Sequence, residues 1–140
     1  MEVLVFIPAR GGSKGITNKN LHNLGGKPLI EYTLEVAKEL KASNDSKIKW
    51  EPFLSSDDHA IIDFCRKKDI YSKYVRPEFL AQDNSSMVSA LIDGVEWNKE
   101  CNGYKPDYVL LLQPTSPFRE IQEIIGGMKK ILQTNANTLI

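Results

Sequence analysis

Hydrophobic and polar positions along this chain switch repeatedly between two periods. Glu2–Ile7 (EVLVFI) is a near-continuous apolar run, the pattern of a strand covered on both faces. Pro8 is expected to end it, and a long loop follows from Ala9 to about Lys27. Pro28 is expected to open a helix at a position where its missing N–H costs nothing, with Ile30, Leu34, Ala37 and Lys41 in one row. Ile48–Ser55 reads as a second strand, in which Pro52 suggests a bulge or a short strand. Ser56 or Asp57 is expected to cap a helix running to about Lys68, with Ile61, Ile62 and Cys65 inward. Tyr74-Val75 reads as a short strand and Arg76–Asn84 as a loop. Ser85 is expected to start a third helix, with Val88, Leu91, Ile92 and Val95 at helical spacing. Asp107–Gln113 (DYVLLLQ) is the clearest strand after the first, followed by a loop at Pro114–Arg119. Glu120 to about Gln133 predicts a fourth helix, striped by Ile121, Ile124, Ile125, Met128, Ile131 and Leu132 and weakened by Gly126 and Gly127. Thr138–Ile140 reads as the start of another strand.

This alternation implies one domain over residues 1–140, a mostly parallel sheet with helices on both faces. Such sheets bind ligands where the carboxyl ends of strands lead into loops. Three polar loops qualify: Pro8–Lys27, Arg76–Asn84 and Pro114–Arg119. Composition narrows the classes further. Of 140 residues, 41% are hydrophobic and 26% charged, which excludes a collagen-like, low-complexity or disulfide-scaffold chain. No apolar stretch approaches the ~18 residues of a membrane-crossing helix. The N-terminus lacks the basic segment of a signal peptide. Cys65 and Cys101 fit no metal spacing, so two reduced thiols packed in helices of a cytoplasmic protein are expected. His22 and His59 are isolated, and no metal ligand is assigned within the chain.

The formal net charge is 0, which argues against bulk nucleic-acid or membrane binding. The average conceals an uneven distribution. Residues 1–30 carry Arg10, Lys14, Lys19 and Lys27 against Glu2 alone, a local excess of +3. The loop after the first strand therefore combines cations with Gly11, Gly12 and Gly15. Glycines let backbone N–H groups approach an anion, and Arg10 and Lys14 offer charge to phosphate oxygens. Neither GxxxxGK[ST] nor GxGxxG is present: Lys14 precedes Gly15, and Gly11 and Gly12 are adjacent.

The stretch IPARGGSKGITNKN (Ile7–Asn20) resembles the signature of the CMP-sialic acid synthetases, or acylneuraminate cytidylyltransferases. RPEFLAQDNSS (Arg76–Ser86) and LLQPTSPFR (Leu111–Arg119) match two further segments in the right order. KPLIEYTLEVA and SSDDHAI between them are also similar, so the resemblance covers essentially the whole chain. Thr17 stands where the family usually has proline, which costs loop rigidity but no charge or donor. Family members usually also have a later part, which carries their metal-binding aspartates.

The resemblance implies a three-layer α/β/α, nucleotide-diphospho-sugar-transferase-like (Rossmann-like) fold. It implies transfer of CMP from CTP to a nine-carbon acidic sugar, with release of pyrophosphate. Arg10 and Lys19 fall on catalytic positions, Lys19 as the phosphate-stabilising cation. Gly11, Gly12, Ser13, Lys14 and Asn20 fall on nucleotide-binding positions. Arg76, with Ser85 and Met87, falls where the base is recognised, and Gln113, Thr115 and Ser116 fall where the sugar is held. Mg²⁺ is the implied cofactor, with ligands expected beyond Ile140, and the implied full-length assembly is a homodimer. Asp83 is read as a possible cap of the third helix, and Asp57 and Asp58 as caps rather than metal ligands. Two alternatives stay open. One is a non-catalytic CTP-binding fragment without the metal carboxylates. The other is an enzyme for legionaminate, pseudaminate or a 3-deoxy acid.

Overall fold

The computed structural model describes residues 1–12, 15 and 18–140. The first strand, β1 (Glu2–Pro8), keeps going through its proline to the end of its ladder. A hairpin follows in what reads from sequence as plain loop: β2 (Asn23–Leu24) pairs antiparallel with β3 (Lys27–Pro28). Its two turn residues, Gly25 and Gly26, hold φ of 63° and 101°, a backbone that side chains resist. Helix α1 (Leu29–Ala42) starts one residue after Pro28, which serves as its N-cap position instead of its first turn. Strand β4 (Lys49–Ser55), helix α2 (His59–Lys67), helix α3 (Met87–Asn102), strand β5 (Tyr108–Leu111) and helix α4 (Ile121–Thr134) complete the order.

The main sheet has the order β4-β1-β5, and both pairings of β1 are parallel. The β1–β4 register runs from Glu2↔Lys49 to Pro8↔Ser55 without a slip, so Pro52 makes no bulge. The strand tolerates Pro52 because β4 lies at the edge of the described sheet, where a missing N–H can point away from β1. Alternate residues of β1 serve opposite faces. Val3, Val5 and Ile7 pack with Ile30, Leu34, Ala37 and Leu40 of α1, Ile61, Ile62 and Cys65 of α2, and Met128 and Ile131 of α4. Leu4 and Phe6 pack with Phe53 and Tyr74, covered by Met87, Leu91, Val95 and Trp97 of α3. Every one of Val3–Ile7 is fully buried, the outcome expected of a continuous apolar run between two helical layers.

Several expected details differ. Of the residues expected to cap α2, Asp58 does so, its carboxylate accepting from the Ala60 N–H at 2.8 Å, while Ser56 and Asp57 do not. Tyr74 and Val75 form no strand, although the Arg76 N–H reaches the Ser56 carbonyl at 2.8 Å. Ser86, one residue beyond Ser85, caps α3 by accepting from the Ser89 N–H. The buried stripe of α3 is Ala90, Gly94 and Asn98, while Val88 and Ile92 face solvent at 63% and 59% exposure. Small residues win that face because the Phe6 and Phe53 rings already fill it. A Cβ on Gly94 would lie 2.8 Å from each ring. Lys41 and Leu132 are likewise exposed, and Leu40 closes the α1 row instead of Lys41. Thr138–Ile140 make no ladder; they line a cavity of about 720 Å³ between β5 and α4. Cys65 is buried as expected, but Cys101 is exposed. Among the described residues, no helix is long and apolar enough to cross a membrane.

Candidate functional site

The carboxyl ends of β1 and β5 open onto one small pocket. Pro8 and Arg10 come from the end of β1, and Lys19 and Asn20 from a 3₁₀ turn at Lys19–Leu21. Arg76 and Met87 come from the segment entering α3, and Gln113, Pro114 and Thr115 from the turn after β5. The cavity is about 220 Å³. Larger cavities lie elsewhere, but they lack this convergence of strand-end polar groups, so chemistry rather than size selects the site. Seven residues singled out from the sequence thus meet: Arg10, Lys19, Asn20, Arg76, Met87, Gln113 and Thr115.

Each is placed by local bonding. Ser55, at the last rung of β4, is fully buried, and its carbonyl accepts the Ala9 N–H at 2.9 Å, which fixes where the first loop departs. Arg76 is only 4% exposed. Its Nε donates to the Ser55 Oγ at 2.8 Å and its Nη2 to the Ser55 carbonyl at 2.7 Å. Burial draws the Arg76 pKa down, offset by the charges of Tyr74 and Asp57. The side chain is therefore a guanidinium held at one edge, with the rest of its N–H fork available toward the pocket. Arg10 is half-buried and pairs with Asp83, Nη1 to Oδ1 at 2.6 Å, so Asp83 is an ion-pair partner and not a helix cap. The Asn20 amide donates to the Arg10 carbonyl at 3.1 Å, closing the first loop on itself. That loop reaches its turn through Asn18, whose φ of 52° is left-handed.

Other expected site residues are placed differently. The Gly11 N–H is already bonded to Asp57 Oδ1 at 2.9 Å, so in this state it is not offered to an anion. Gly11 is nonetheless required at its position, because a Cβ there would lie 2.6 Å from Asp58 Oδ2. Gly12 has open space around it and does not line the pocket. The Ser85 hydroxyl donates to the Phe79 carbonyl at 2.8 Å and accepts the Gln82 N–H, so it shapes its own turn outside the lining. Ser116 is exposed and outside the lining too, its N–H closing a turn onto the Gln113 carbonyl at 3.1 Å. Ser13, Lys14 and Thr17 lie outside the described residues. Sequence reasoning missed Ser55 and Tyr74, and it gave Asp57 a cap role instead of its bond to the Gly11 N–H. Nothing in their own spacing marks them, because their partners are far away in the chain.

Magnesium asks for hard oxygen ligands, chiefly carboxylates and water. The pocket lining holds two arginines, a lysine and amides but no carboxylate. The nearby acids are engaged, Asp57 by Gly11 and Asp83 by Arg10. No cluster of three His, Cys, Asp or Glu occurs among the described residues. These residues do not fit a magnesium site.

The model of one protein family, described as cytidylyltransferase, matches residues 4–138, nearly the whole chain. The chain belongs to the cytidylyltransferase family. Relatives of this chain include the CMP-N,N'-diacetyllegionaminic acid synthase of Legionella pneumophila, 38% identical over 124 residues, 89% of this chain and 50% of that protein. The pseudaminic acid cytidylyltransferase of Campylobacter jejuni strain 81-176 is 34% identical over 99% of this chain and 57% of its own length. The N-acylneuraminate cytidylyltransferase of Escherichia coli O18:K1:H7 is 35% identical over 91% of this chain and 28% of its own. The chain thus spans about half the length, or less, of these curated relatives. A solved structure of CMP:2-keto-3-deoxy-manno-octonic acid synthetase complexed with CTP superposes with a TM-score of 0.69 at 19% identity. The match covers 97% of this chain and 49% of that one, and it shows the shared fold. The helices on both sides of the parallel sheet make it a three-layer α/β/α arrangement.

Proposed function

We propose that this chain is the nucleotide-holding part of a cytidylyltransferase that joins CTP to an acidic sugar and releases pyrophosphate. The observation that carries the reading is the single pocket in which cations of the first loop face Arg76 and the turn after β5. Arg10 and Lys19 neutralise phosphate oxygens, and Lys19 is the cation that stabilises charge developing on the α-phosphorus. The Arg76 fork reads the base edge beside Met87. Gln113 and Thr115 offer an amide and a hydroxyl to the sugar carboxylate and hydroxyls. In the reaction the sugar's anomeric oxygen forms a bond to the α-phosphorus while the bond from that phosphorus to the bridging oxygen breaks. Pyrophosphate leaves with that electron pair.

The cavity is below the ~300–1,000 Å³ of an ordinary small-molecule site. A nucleotide would therefore seat one part there and lay its phosphates along the first loop, Gly11–Asn20. The relatives' names support an acidic sugar as acceptor, legionaminic, pseudaminic or acylneuraminic acid among them. Isothermal titration tests the reading: CTP is expected to bind in preference to UTP, ATP and GTP. Equal or absent binding of all four by the folded chain overturns it.

A second reading is favoured by one observation, the lack of a carboxylate set among the described residues. On that reading the 140-residue chain holds CTP without turning it over. Pyrophosphate release from CTP, Mg²⁺ and N-acetylneuraminate separates the two, since turnover removes the second reading.

A further inference from the structure

Arg76 reaches the pocket from a loop, yet its main chain and its side chain are both tied to the end of β4. Its backbone N–H donates to the Ser56 carbonyl at 2.8 Å. Its Nε donates to the Ser55 Oγ at 2.8 Å and its Nη2 to the Ser55 carbonyl at 2.7 Å. A guanidinium offers planar donors along a side edge, Nε–H beside one Nη–H, and along an end edge, one N–H on each Nη. Ser55 takes the side edge whole. Bonds from one rigid plane to both oxygens of one residue fix the tilt of that plane and its rotation, which a single bond would not. Those oxygens are themselves firmly held. Ser55 is fully buried, so no solvent competes for them, and it is the last residue of β4, in register with Pro8 of β1. The same Ser55 carbonyl accepts the Ala9 N–H at 2.9 Å. The plane of Arg76 and the departure of the first loop therefore share one anchor on the sheet.

We infer that Ser55 is a positioning residue that sets the choice of base, by occupying the side edge of the Arg76 guanidinium and leaving the end edge as the reader in the pocket that Arg76 lines. The inference rests on the base-reading role proposed above for Arg76. Cytosine carries two adjacent acceptors, O2 and N3, which match two parallel N–H donors. Uracil carries an N–H at the same N3, so one donor of the fork would meet another donor. That contrast is felt only while the fork is held in the plane of the base. Without the Ser55 Oγ, the Nε–H loses its acceptor, and the guanidinium keeps a single bond to Ser55, at the carbonyl, about which it can turn. Its positive charge stays in place. Attraction for phosphate therefore persists while the preference between two pyrimidines falls.

The test uses Ser55→Ala, Ser55→Cys and Ser55→Thr in the whole chain. Cysteine keeps nearly the shape of serine but its sulfur is a weak acceptor, whereas threonine keeps the hydroxyl oxygen and adds a methyl. The pair separates hydrogen bonding from packing. Isothermal titration gives the ratio of CTP to UTP affinity, expected to fall roughly fivefold or more in Ser55→Ala and Ser55→Cys and to survive in Ser55→Thr. Pyrophosphate affinity is expected to change little in all of them. A further readout needs no nucleotide: solvent exchange of the Arg76 Nε–H proton by NMR, expected to be slow in the wild type and in Ser55→Thr and faster in Ser55→Ala. An unchanged ratio in Ser55→Ala, or an unchanged exchange rate, overturns the inference. So does a ratio that falls in Ser55→Thr and survives in Ser55→Cys, since it then follows volume and not the acceptor. Where Ser55→Ala fails to fold, the contrast between cysteine and threonine decides alone. A wild-type chain that binds CTP and UTP alike refutes the base-reading role and the specificity claim with it, even where slow Nε–H exchange shows the grip intact.

Discussion

Gly94 offers the sharpest test of how α3 sits on the sheet. Two opposing effects act on Gly94→Ala, and the structure gives their relative size. Alanine in a helix interior is favoured over glycine by about 1 kcal/mol. Against this, the new Cβ would lie 2.8 Å from Phe53 Cε1 and 2.8 Å from Phe6 Cε2. Ordinary carbon–carbon contact starts near ~3.5 Å, so both approaches are repulsive. Neither ring can give way easily. Phe6 is fully buried and Phe53 is 5% exposed, and both are stacked in a cluster with Tyr74 and Trp97. Overpacking of this kind costs about 1–3 kcal/mol, and two fixed rings place this site toward the upper end. The net expectation is destabilisation by about 1–2 kcal/mol. Gly126→Ala in α4 is the matched control, since nothing lies within 4 Å of its added Cβ. There the propensity term acts alone, and stability is expected to rise by up to ~1 kcal/mol. Urea unfolding followed by tryptophan fluorescence measures both, and each kcal/mol corresponds to roughly 3–4 °C in Tm. If Gly94→Ala is as stable as the wild type while Gly126→Ala gains, the close packing of α3 on Phe6 and Phe53 is wrong.

Three further outcomes follow from the same contacts. The Cys65 thiol is buried and its pKa is pushed up to about 12 by desolvation, whereas Cys101 is exposed. A disulfide-exchange reagent at mild alkaline pH should therefore label Cys101 alone in the folded chain and both thiols in denaturant; rapid labelling of Cys65 would contradict its packing. Burial, and for Tyr74 the Asp93 bond, raises the Tyr74 and Tyr104 pKa values above the ordinary 10.0. Groups raised in the folded state stabilise it fully below their unfolded pKa, so stability should hold up to about pH 10 and decline above it. Tyr74→Phe should flatten that decline in chemical denaturation across alkaline pH, and an unaltered slope would remove Tyr74 as its source. Finally, if Arg10 binds phosphate as proposed, Asp83 competes for it through a 2.6 Å ion pair whose acid is 47% exposed. Asp83→Asn is expected to tighten CTP binding roughly two- to fivefold at low salt, less at high salt, with little change in Tm. Weaker binding would show that the pair shapes the site instead of opposing the ligand.

The legible parts of the fold were those with a local signature. Glu2–Ile7 and Tyr108–Leu111 carry apolar runs, Lys49–Ser55 interleaves Trp50, Phe53 and Leu54 with polar residues, and each helix starts within one to three residues of its expected position. The hairpin at Asn23–Pro28 carries its signal in two glycines between short paired segments, but each strand has only two residues, too few to show a period. The exposed Val88 and Ile92 could not be read, because helical spacing reports a stripe but not which stripe a sheet will accept. The site divides the same way. Arg10, Lys19, Asn20, Gln113 and Thr115 stand in motifs, and the pocket gathers them. Ser85, Ser116 and Gly11 stand in the same motifs, yet their polar groups are turned into the loops' own bonding.

Sequence alone determined the alternation of strands and helices, the burial of β1 on both faces and the uneven placement of cations in the first loop. Each follows from periodicity or charge, which are properties of neighbours along the chain. Only the tertiary structure decided that Ser55, twenty-one residues before Arg76, grips its guanidinium, that Asp57 takes the Gly11 N–H across 46 residues, and that Asp83 holds Arg10 across 73. Those bonds link groups whose separation in sequence carries no information about their separation in space. They form because parallel strand ends bring three loops to one edge of the sheet, where buried polar groups must find partners or be left unpaired.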